Sequence, residues 1–259
     1  MKVDLENRVA LVTGAARNIG KAIADALAAN GARVVYSDID LAEVTAAARG
    51  SSGTALHLDV ADPAEVAAVA GEIVRRFGRI DILVNNAGVN TLAHRVPIDQ
   101  FPLEEWERIV RVDMTGLYLV SHAVAGVMRS QQYGRIVNIA SVAGLVPLRL
   151  QCAFAAAKAG VVNLTRAMAI ELGHLGITVN CVAPGSILTE GTKKLFYGED
   201  GKFREAMGQL LAHIPAGRPG SPQEVAHAVT FLAAEEARYI NGAVLTVDGG
   251  WTAGYAREF

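Results

Sequence analysis

A glycine-rich turn near the start of the chain constrains the fold more than any other feature. The apolar run at residues 8–13 is followed by G-A-A-R-N-I-G at residues 14–20, and then by an alanine-rich, helix-forming stretch at residues 21–30. Strand, glycine-rich turn and helix in this order are the context of a phosphate-binding loop. Glycines let the backbone approach a pyrophosphate, and the start of the helix offers free N–H groups. A plain strand-to-helix turn is the alternative interpretation.

Strand and helix signals alternate along the rest of the chain. Apolar, β-rich runs predict strands at residues 8–13, 33–37, 54–58, 80–84, 134–139, 177–182 and 243–247. Helical patterns are predicted at residues 21–30, 40–49, 65–77, 103–130 and 154–175, and a further helix has Ser221 as its N-cap and Pro222 at its first position. Such alternation is typical of α/β proteins with a parallel sheet. Because no internal repeat or linker is seen, we expect one domain over residues 1–259.

Composition and charge argue against several classes of function. A formal net charge of -2 at pH 7 disfavours non-specific nucleic-acid binding, which needs a basic surface. The two cysteines, Cys152 and Cys181, are too few for a disulfide framework, so a reducing, cytoplasmic location is expected. The charged start of the chain has no apolar signal region, and no apolar run is long enough to span a bilayer. No metal site is predicted.

An acidic residue follows the second predicted strand. Asp38 lies about 20 residues beyond the glycine-rich turn, where a carboxylate can accept hydrogen bonds from an adenosine ribose. Because it would also repel a 2′-phosphate, Asp38 favours NAD over NADP. Arg17 instead favours NADP, since a basic residue in the turn could face a 2′-phosphate. A further alternative is that Asp38 is an ordinary turn aspartate. We give the carboxylate more weight and predict NAD.

The segment from Val137 to Gly160 carries three positions of chemical interest. It is predicted to be a strand end with Ser141, a short apolar turn, and a helix with Phe154 and Lys158. Phe154 and Lys158 are four residues apart and therefore share one face of that helix. An ordinary strand-end serine and a solvated helix lysine are the alternatives to a shared site.

Several ordered motifs together resemble the short-chain dehydrogenase/reductase family over nearly the whole chain. Besides the spacing of positions 141, 154 and 158, they are T-G-x-x-x-x-x-G at residues 13–20, N-N-A-G at residues 85–88 and P-G-x-x-x-T at residues 184–189. Asn18 replaces a glycine of the family pattern, and asparagine is the residue that best replaces glycine in a left-handed conformation. The resemblance implies a single-domain Rossmann fold with a doubly wound, seven-stranded parallel sheet and helices on both faces. It also implies a homotetramer built through the two long helices.

The resemblance further implies which residues bind a nicotinamide dinucleotide. They are Gly14, Arg17, Asn18, Ile19, Gly20, Asp38, Asp59, Val60, Asn86, Ala87, Gly88, Lys158, Pro184, Gly185, Ile187 and Thr189. Asn85 is expected to stabilise the sheet instead. Asp62, with Pro63 behind it, is expected to start a helix.

The implied reaction is reversible hydride transfer between a secondary alcohol or ketone and the nicotinamide. In the family a tyrosine at position 154 would be the base, Lys158 would lower the pKa of that tyrosine, and Ser141 would hold the substrate oxygen. This chain has Phe154, which has no proton to exchange, and Asp113 where the family has an asparagine that supports a proton relay. Asp113 could still hold the water of that relay, or it could be bonded locally within its helix.

Phe154 predicts a chain that binds cofactor and substrate but turns over poorly or not at all, because general acid–base catalysis contributes roughly 10² to 10⁴ in rate. One hypothesis is an engineered Tyr-to-Phe variant that traps a ternary complex. The other is a natural, non-catalytic relative that binds or senses dinucleotide. Retention of both Ser141 and Lys158 favours the first hypothesis.

Polar side chains suggest the character of the substrate. The residues predicted to contact it are Asn90, His94, Arg95, Ser141, Gln151, Phe154, Ser186 and Glu190. Residues 190–214 are predicted to form a mobile helical lid over them. Because a long acyl chain would need an apolar channel, we favour a sugar, polyol or sugar acid. The alternative is a 3-oxoacyl thioester reductase, against which Asp38 argues, since that role usually uses NADPH.

Overall fold

The computed structural model describes residues 1–91, 94–190, 192–193, 208 and 211–254. Within these ranges seven strands are present: β1 Val9–Thr13, β2 Arg33–Asp38, β3 Thr54–His57, β4 Ile82–Asn85, β5 Gly134–Ile139, β6 Ile177–Pro184 and β7 Val244–Val247. All pair in parallel, in the order β3-β2-β1-β4-β5-β6-β7. The predicted parallel sheet is confirmed, with strand bounds within two residues of those expected.

Helices connect the strands and cover the sheet. In the described part of the chain the α-helices are α1 Asn18–Ala29, α2 Leu41–Arg49, α3 Pro63–Phe77, α4 Leu103–Val110, α5 Leu117–Gln131, α6 Cys152–Leu172 and α7 Pro222–Ala233. α7 begins with the expected N-cap, because the Ser221 side chain and Glu224 form a reciprocal capping box. Asp62 likewise caps α3, accepting the N–H groups of Ala64 and Glu65.

Two apolar layers hold the helices on opposite faces of the sheet. One layer contains buried residues of α1, α2 and α7, such as Leu27, Val44 and Val229. The other contains buried residues of α3, α5 and α6, such as Ile73 and Met168. Since both faces are covered, the strands are nearly continuous apolar runs, as in β1, where every residue is buried. The doubly wound Rossmann fold predicted from the sequence is therefore confirmed.

The prediction of one continuous helix at residues 103–130 is wrong in one respect. Between α4 and α5 the chain forms a π-helical turn at Arg111–Gly116. Such a turn accommodates an extra residue by forming wider, i to i+5 hydrogen bonds. It leaves Asp113 buried rather than on a solvated helix face. Hydrophobic spacing in the sequence does not reveal this change of helix type.

The strand order reverses beside β1, whose neighbours are β2 on one side and β4 on the other. The connections leave β1 and β4 in opposite directions, so a crevice opens beyond the carboxyl ends of these strands. No helix in the described ranges is long and apolar enough to cross a membrane.

Candidate active site

The glycine-rich turn after β1 has two residues with positive φ. Gly14 has φ +63° and Asn18 has φ +52°, so the asparagine adopts the left-handed conformation for which it can replace glycine. Gly20 has no room for a side chain, because a Cβ there would lie 2.0 Å from the carbonyl oxygen of Gly14. Arg17, the N-cap of α1, makes no side-chain capping bond. The first N–H groups of α1 are therefore available to an anion.

Two side chains fix this turn against the end of β4. The Asn86 amide donates to the carbonyl oxygens of Thr13 at 2.9 Å and Gly14 at 3.0 Å. The Thr13 hydroxyl accepts the N–H groups of Asn86 and Ala87, both at 3.0 Å. Asn85 is buried, and its amide donates to the side chains of Ser121 on α5 and Asn138 on β5. The N-N-A-G segment is thus held rigidly beside the glycine-rich turn.

The turn forms one wall of a cleft with a volume of about 400 Å³. The cleft is lined by Gly14, Arg17, Asn18, Ile19, Gly20, Asp38, Ile39, Leu58, Asp59, Val60, Asn86, Ala87, Gly88, Val89, Val112 and Thr189. Most predicted cofactor residues are therefore brought together. The sequence analysis missed the apolar lining residues Ile39, Leu58, Val89 and Val112. Each of them is adjacent in the sequence to a predicted site residue, and this adjacency is the one signal that could have identified them.

Four predicted cofactor residues lie outside this lining. Pro184 is buried at the end of β6, and Ile187 is buried and forms a bridge to Gly220. Gly185 packs so closely on Asp248 that a Cβ there would lie 2.9 Å from it. Lys158 lies instead in the centre described below.

Asp38 and Arg17 differ in what they bind. Asp38 Oδ2 accepts the N–H of Ala16, and its Oδ1 accepts the N–H of Asp40, both at 3.1 Å. The Arg17 guanidinium lies 3.1 Å from the Glu43 carboxylate, and both of these side chains are largely exposed. The negative charge is therefore fixed to the glycine-rich turn, whereas the positive charge already has a partner.

Asp59 is oriented by its neighbours at the end of β3. Its N–H donates to the Glu65 carboxylate, and its Oδ1 accepts the N–H of Ala61, each at 2.9 Å. With Val60 it lines the same cleft as the glycine-rich turn.

Ser141, Phe154 and Lys158 lie together where β5 leads into α6. Ser141 Oγ accepts the N–H of Ala143 at 3.2 Å and caps a short 3₁₀ turn. That turn packs directly on α6, because a Cβ on Gly144 would lie 2.6 Å from the Lys158 backbone. The Lys158 ammonium lies 5.6 Å from the centre of the Phe154 ring. The structure therefore packs the turn that Ser141 caps against the helix that carries Phe154 and Lys158.

Asp113 joins this group from the π-helical turn. Its Oδ2 lies 3.0 Å from Lys158 Nζ, and its Oδ1 accepts the N–H of Val89 at 2.7 Å. Local bonding within its helix, one of the two alternatives for Asp113, is therefore wrong. The π-helical turn directs the carboxylate across to α6 and to the end of β4. Because Val89 lines the cleft, Asp113 connects the cleft to the Ser141–Lys158 group.

The loop after β4 is bound to α4. His94 Nδ1 lies 3.7 Å from the Glu105 carboxylate, and Glu105 is hydrogen-bonded by Arg108, which holds the pKa of that carboxyl below its usual range. Arg108 also donates to the backbone carbonyl of Asn90 at 3.2 Å. Arg95 is exposed. The substrate roles predicted for Asn90, His94 and Arg95 therefore stay predictions.

The remaining substrate candidates are spread around the centre. Gln151 is buried immediately before α6, and the carbonyl of Ser186 accepts the N–H of Gly220 at 2.9 Å. The N–H of Glu190 donates to the Asn18 side chain at 3.0 Å, so the chain at that point contacts the glycine-rich turn. Most of the predicted lid, at residues 191, 194–207, 209 and 210, lies outside the described residues.

These features fit a dinucleotide. The uncapped start of α1 suits a pyrophosphate, Asp38 suits a ribose hydroxyl, and the apolar lining suits a planar ring. Asp113 Oδ2, which is ion-paired with Lys158, also lies beside Gly88 in the cleft wall. Within the described ranges no group of three or more His, Cys, Asp or Glu side chains could hold a metal ion.

The fold and this site are typical of oxidoreductases that use a nicotinamide dinucleotide. A family model described as enoyl-(acyl carrier protein) reductase matches residues 14–252. The chain belongs to the short-chain dehydrogenase/reductase family, whose members use a nicotinamide dinucleotide cofactor.

Known proteins of this family resemble the chain along nearly its whole length. It is 41% identical to 3-oxoacyl-(acyl-carrier-protein) reductase FabG of Escherichia coli, over 96% of this chain and 98% of that protein. It is 42% identical to D-threitol dehydrogenase of Mycolicibacterium smegmatis, over 96% and 94%. The crystal structure of levodione reductase superimposes with a TM-score of 0.87 at 36% identity, covering 96% of this chain and 99% of that one.

Proposed function

We propose that the chain binds NAD in the cleft and a ketone or secondary alcohol beside Ser141. One observation carries this proposal: Asp113 is ion-paired to Lys158 and also accepts the N–H of Val89 in the cleft wall. The group that holds Ser141, Phe154 and Lys158 therefore adjoins the space for the dinucleotide. Substrate and cofactor would meet where these two regions touch.

Each residue of the centre has a definable part in that reaction. When bound, the nicotinamide ring supplies the hydride acceptor or donor. Ser141 would donate to the substrate oxygen, because its Oγ accepts one N–H and its own proton has no acceptor in the described part of the chain. Phe154 occupies the position of the proton-transfer group with a ring that has no exchangeable proton. We therefore propose that turnover in this chain is slow.

The choice of NAD rests on charge. A 2′-phosphate near Asp38 would face a carboxylate fixed by two backbone N–H groups, and like charges in a confined site repel. Arg17, the group that could offset this repulsion, is paired with Glu43. The site therefore favours the ribose with a free 2′-hydroxyl.

Two explanations for Phe154 were open from the sequence, and the contact between Asp113 and Lys158 changes their relative support. An engineered Tyr-to-Phe replacement accounts for one departure from the family pattern. It does not account for Asp113, whose charge lies 3.0 Å from the Lys158 ammonium. The paired departures give more support to a natural relative with little or no catalysis that binds dinucleotide.

The relatives of the chain change which of the two substrate hypotheses has more support. FabG reductases recur among the curated relatives at 41% to 43% identity, which favours a 3-oxoacyl thioester over a sugar or sugar acid. The D-threitol dehydrogenase at 42% identity keeps a polyol as the second candidate. We propose the thioester first, used with the unphosphorylated dinucleotide.

The Phe154→Tyr protein tests the hydride-transfer proposal. It is assayed with NADH and NADPH against a short 3-oxoacyl thioester, and with NAD and NADP against D-threitol. We expect kcat to exceed that of the starting chain by about 10² to 10⁴. Phe154→Leu is the matched control, since it changes the side chain without adding a hydroxyl. Equal rates for both variants would contradict the proposal and favour a dinucleotide-binding protein without catalysis.

We also propose a homotetramer. Tyr118 on α5 and Ile170 on α6 are large side chains that are 50% and 83% exposed. Among the described strands β7 is an edge strand, and its Leu245 is 37% exposed. Unpartnered apolar surface and a free strand edge are typical of subunit contacts. Light scattering on the eluted protein should give four times the mass of one chain, and a monomer mass would contradict this proposal.

A further inference from the structure

The Lys158 ammonium is a buried cation with three neighbours. It lies 3.0 Å from Asp113 Oδ2, donates to the carbonyl of Ile139 at 3.2 Å, and lies 5.6 Å from the centre of the Phe154 ring. The Lys158 side chain is only 6% exposed, so water contributes little to balancing its charge. A buried ammonium is strongly unfavourable without an anionic partner.

Asp113 is equally dependent on Lys158. Its side chain has no exposed surface, and its Oδ2 has no hydrogen-bond donor among the described residues, although Lys158 Nζ is close. The contact is therefore ionic without the alignment of a hydrogen bond. Oδ1 is used separately, by the N–H of Val89 at 2.7 Å. One oxygen holds the backbone, and the other balances the lysine.

No other side chain described near the lysine takes this role. Cys181 is close enough to Lys158 for their charges to interact, but burial raises the pKa of the Cys181 thiol to about 11. The thiol is therefore neutral near pH 7. Within the described residues, the carboxylate of Asp113 is the one ion-pair partner of Lys158.

We propose that Asp113 and Phe154 form one adaptation, in which the aspartate provides the negative charge that balances Lys158 in a centre without a phenolic oxygen. Asp113 is then a positioning residue that acts through Lys158. The inference rests on the proposed function, because it assumes that Lys158 acts in a site that binds a dinucleotide. It follows that a hydroxyl introduced at position 154 would meet a lysine whose charge is already balanced.

A double-mutant cycle over Asp113→Asn and Phe154→Tyr tests this pairing. Asp113→Asn keeps an oxygen for the Val89 N–H and removes only the charge. In the starting chain it should lower the midpoint of thermal unfolding by roughly 5 °C or more, because it leaves a buried ammonium unpaired. In the Phe154→Tyr background the loss should be clearly smaller, since the introduced hydroxyl offers the ammonium an oxygen.

Turnover of the same four proteins provides a second readout. A purely structural role of Asp113 would not raise kcat. Wherever Phe154→Tyr restores turnover, adding Asp113→Asn should raise kcat about tenfold or more and change KM less, because the charge of Lys158 then acts on the new hydroxyl. A residue with only a structural role would lower kcat when altered.

Two results would overturn the inference. One is that Asp113→Asn leaves the unfolding temperature of the starting chain unchanged while Asp113→Ala lowers it, since the Val89 bond alone would then explain the aspartate. The other is an equal loss in both backgrounds. Titration of NAD into all four proteins separates this failure from that of the proposed function. Binding in none of them overturns both, whereas binding with equal losses overturns the inference alone.

Discussion

Asp38 is the residue on which we propose that the preference between NAD and NADP depends. Its carboxylate lines the cleft and is held by the N–H groups of Ala16 and Asp40. Asp38→Asn removes the charge with little change of shape, so it should improve the affinity for NADP relative to NAD by about tenfold. Calorimetric titration of both dinucleotides measures this ratio.

The neighbouring carboxylate provides the control for that change. Asp40 is exposed and caps α2 through the N–H of Glu43, and asparagine caps helices as well as aspartate does. Asp40→Asn should leave both affinities unchanged. An unaltered ratio in Asp38→Asn would show that Asp38 does not decide the preference.

Asn18 combines a strained backbone with a long-range hydrogen bond. Its φ is +52°, and its side chain accepts the N–H of Glu190, which is 172 residues away in the chain. Asn18→Gly should lose only the bond, about 1 kcal/mol, whereas Asn18→Ala should lose the bond and a further 1 kcal/mol or so of backbone strain. Urea unfolding of the two variants measures the difference. An alanine variant as stable as the glycine variant would contradict the role of the left-handed conformation.

At the scale of elements, the π-helical turn depends on close packing at Gly116. A Cβ on Gly116 would lie 2.7 Å from the Val60 side chain, and Val60 lines the cleft. Gly116→Ala should therefore destabilise the fold by about 1–3 kcal/mol, as overpacking does, and should also weaken NAD binding.

Gly126 on α5 is the matched control for Gly116. Among the described residues, no atom beyond its two chain neighbours and the adjoining backbone of α5 lies within 4 Å of a Cβ placed there. Gly126→Ala should stabilise the protein by up to about 1 kcal/mol, because alanine is the better helix former. Chemical denaturation of both variants gives the comparison, and a stabilising Gly116→Ala would contradict the tight contact with Val60.

At the scale of the whole molecule, Cys181 reports on opening of the sheet. It is fully buried in β6, between β5 and β7, and burial raises the pKa of its thiol from near 9 to about 11. In a Cys152→Ser variant, labelling by a thiol reagent should be slower than in the unfolded chain by about 10³ or more, because it requires global unfolding. Labelling at the rate of the unfolded chain would contradict this placement.

The same thiol gives a pH dependence of defined sign. Its folded-state pKa is raised, so the neutral form is the one that the fold favours. Its contribution to stability is therefore complete below about pH 9 and is lost as the pH rises toward 11. Unfolding midpoints of Cys181→Ala should fall less steeply across this window than those of the starting chain.

The sequence predicts well what depends on local pattern. Strand bounds, the Ser221 and Asp62 caps and the left-handed Asn18 follow from residue type and spacing. The sequence does not predict contacts between distant segments. The approach of Asp113 to Lys158, for example, depends on a π-helical turn that leaves no mark in hydrophobic spacing. The polarity of Asn90 and His94 likewise could not predict that they contact Arg108 and Glu105 of α4, because these contacts form only in the folded chain.

Titration of NAD into the unaltered chain, with Phe154 in place, is the decisive measurement for the proposed dinucleotide site. We expect saturable binding with a Kd between about 1 µM and 1 mM, the range in which the KM values of enzymes usually lie, with NADP weaker and turnover slow or absent. Absence of saturable binding for both dinucleotides would contradict the account, because the cleft, the glycine-rich turn and the Lys158 centre would then have lost their common ligand.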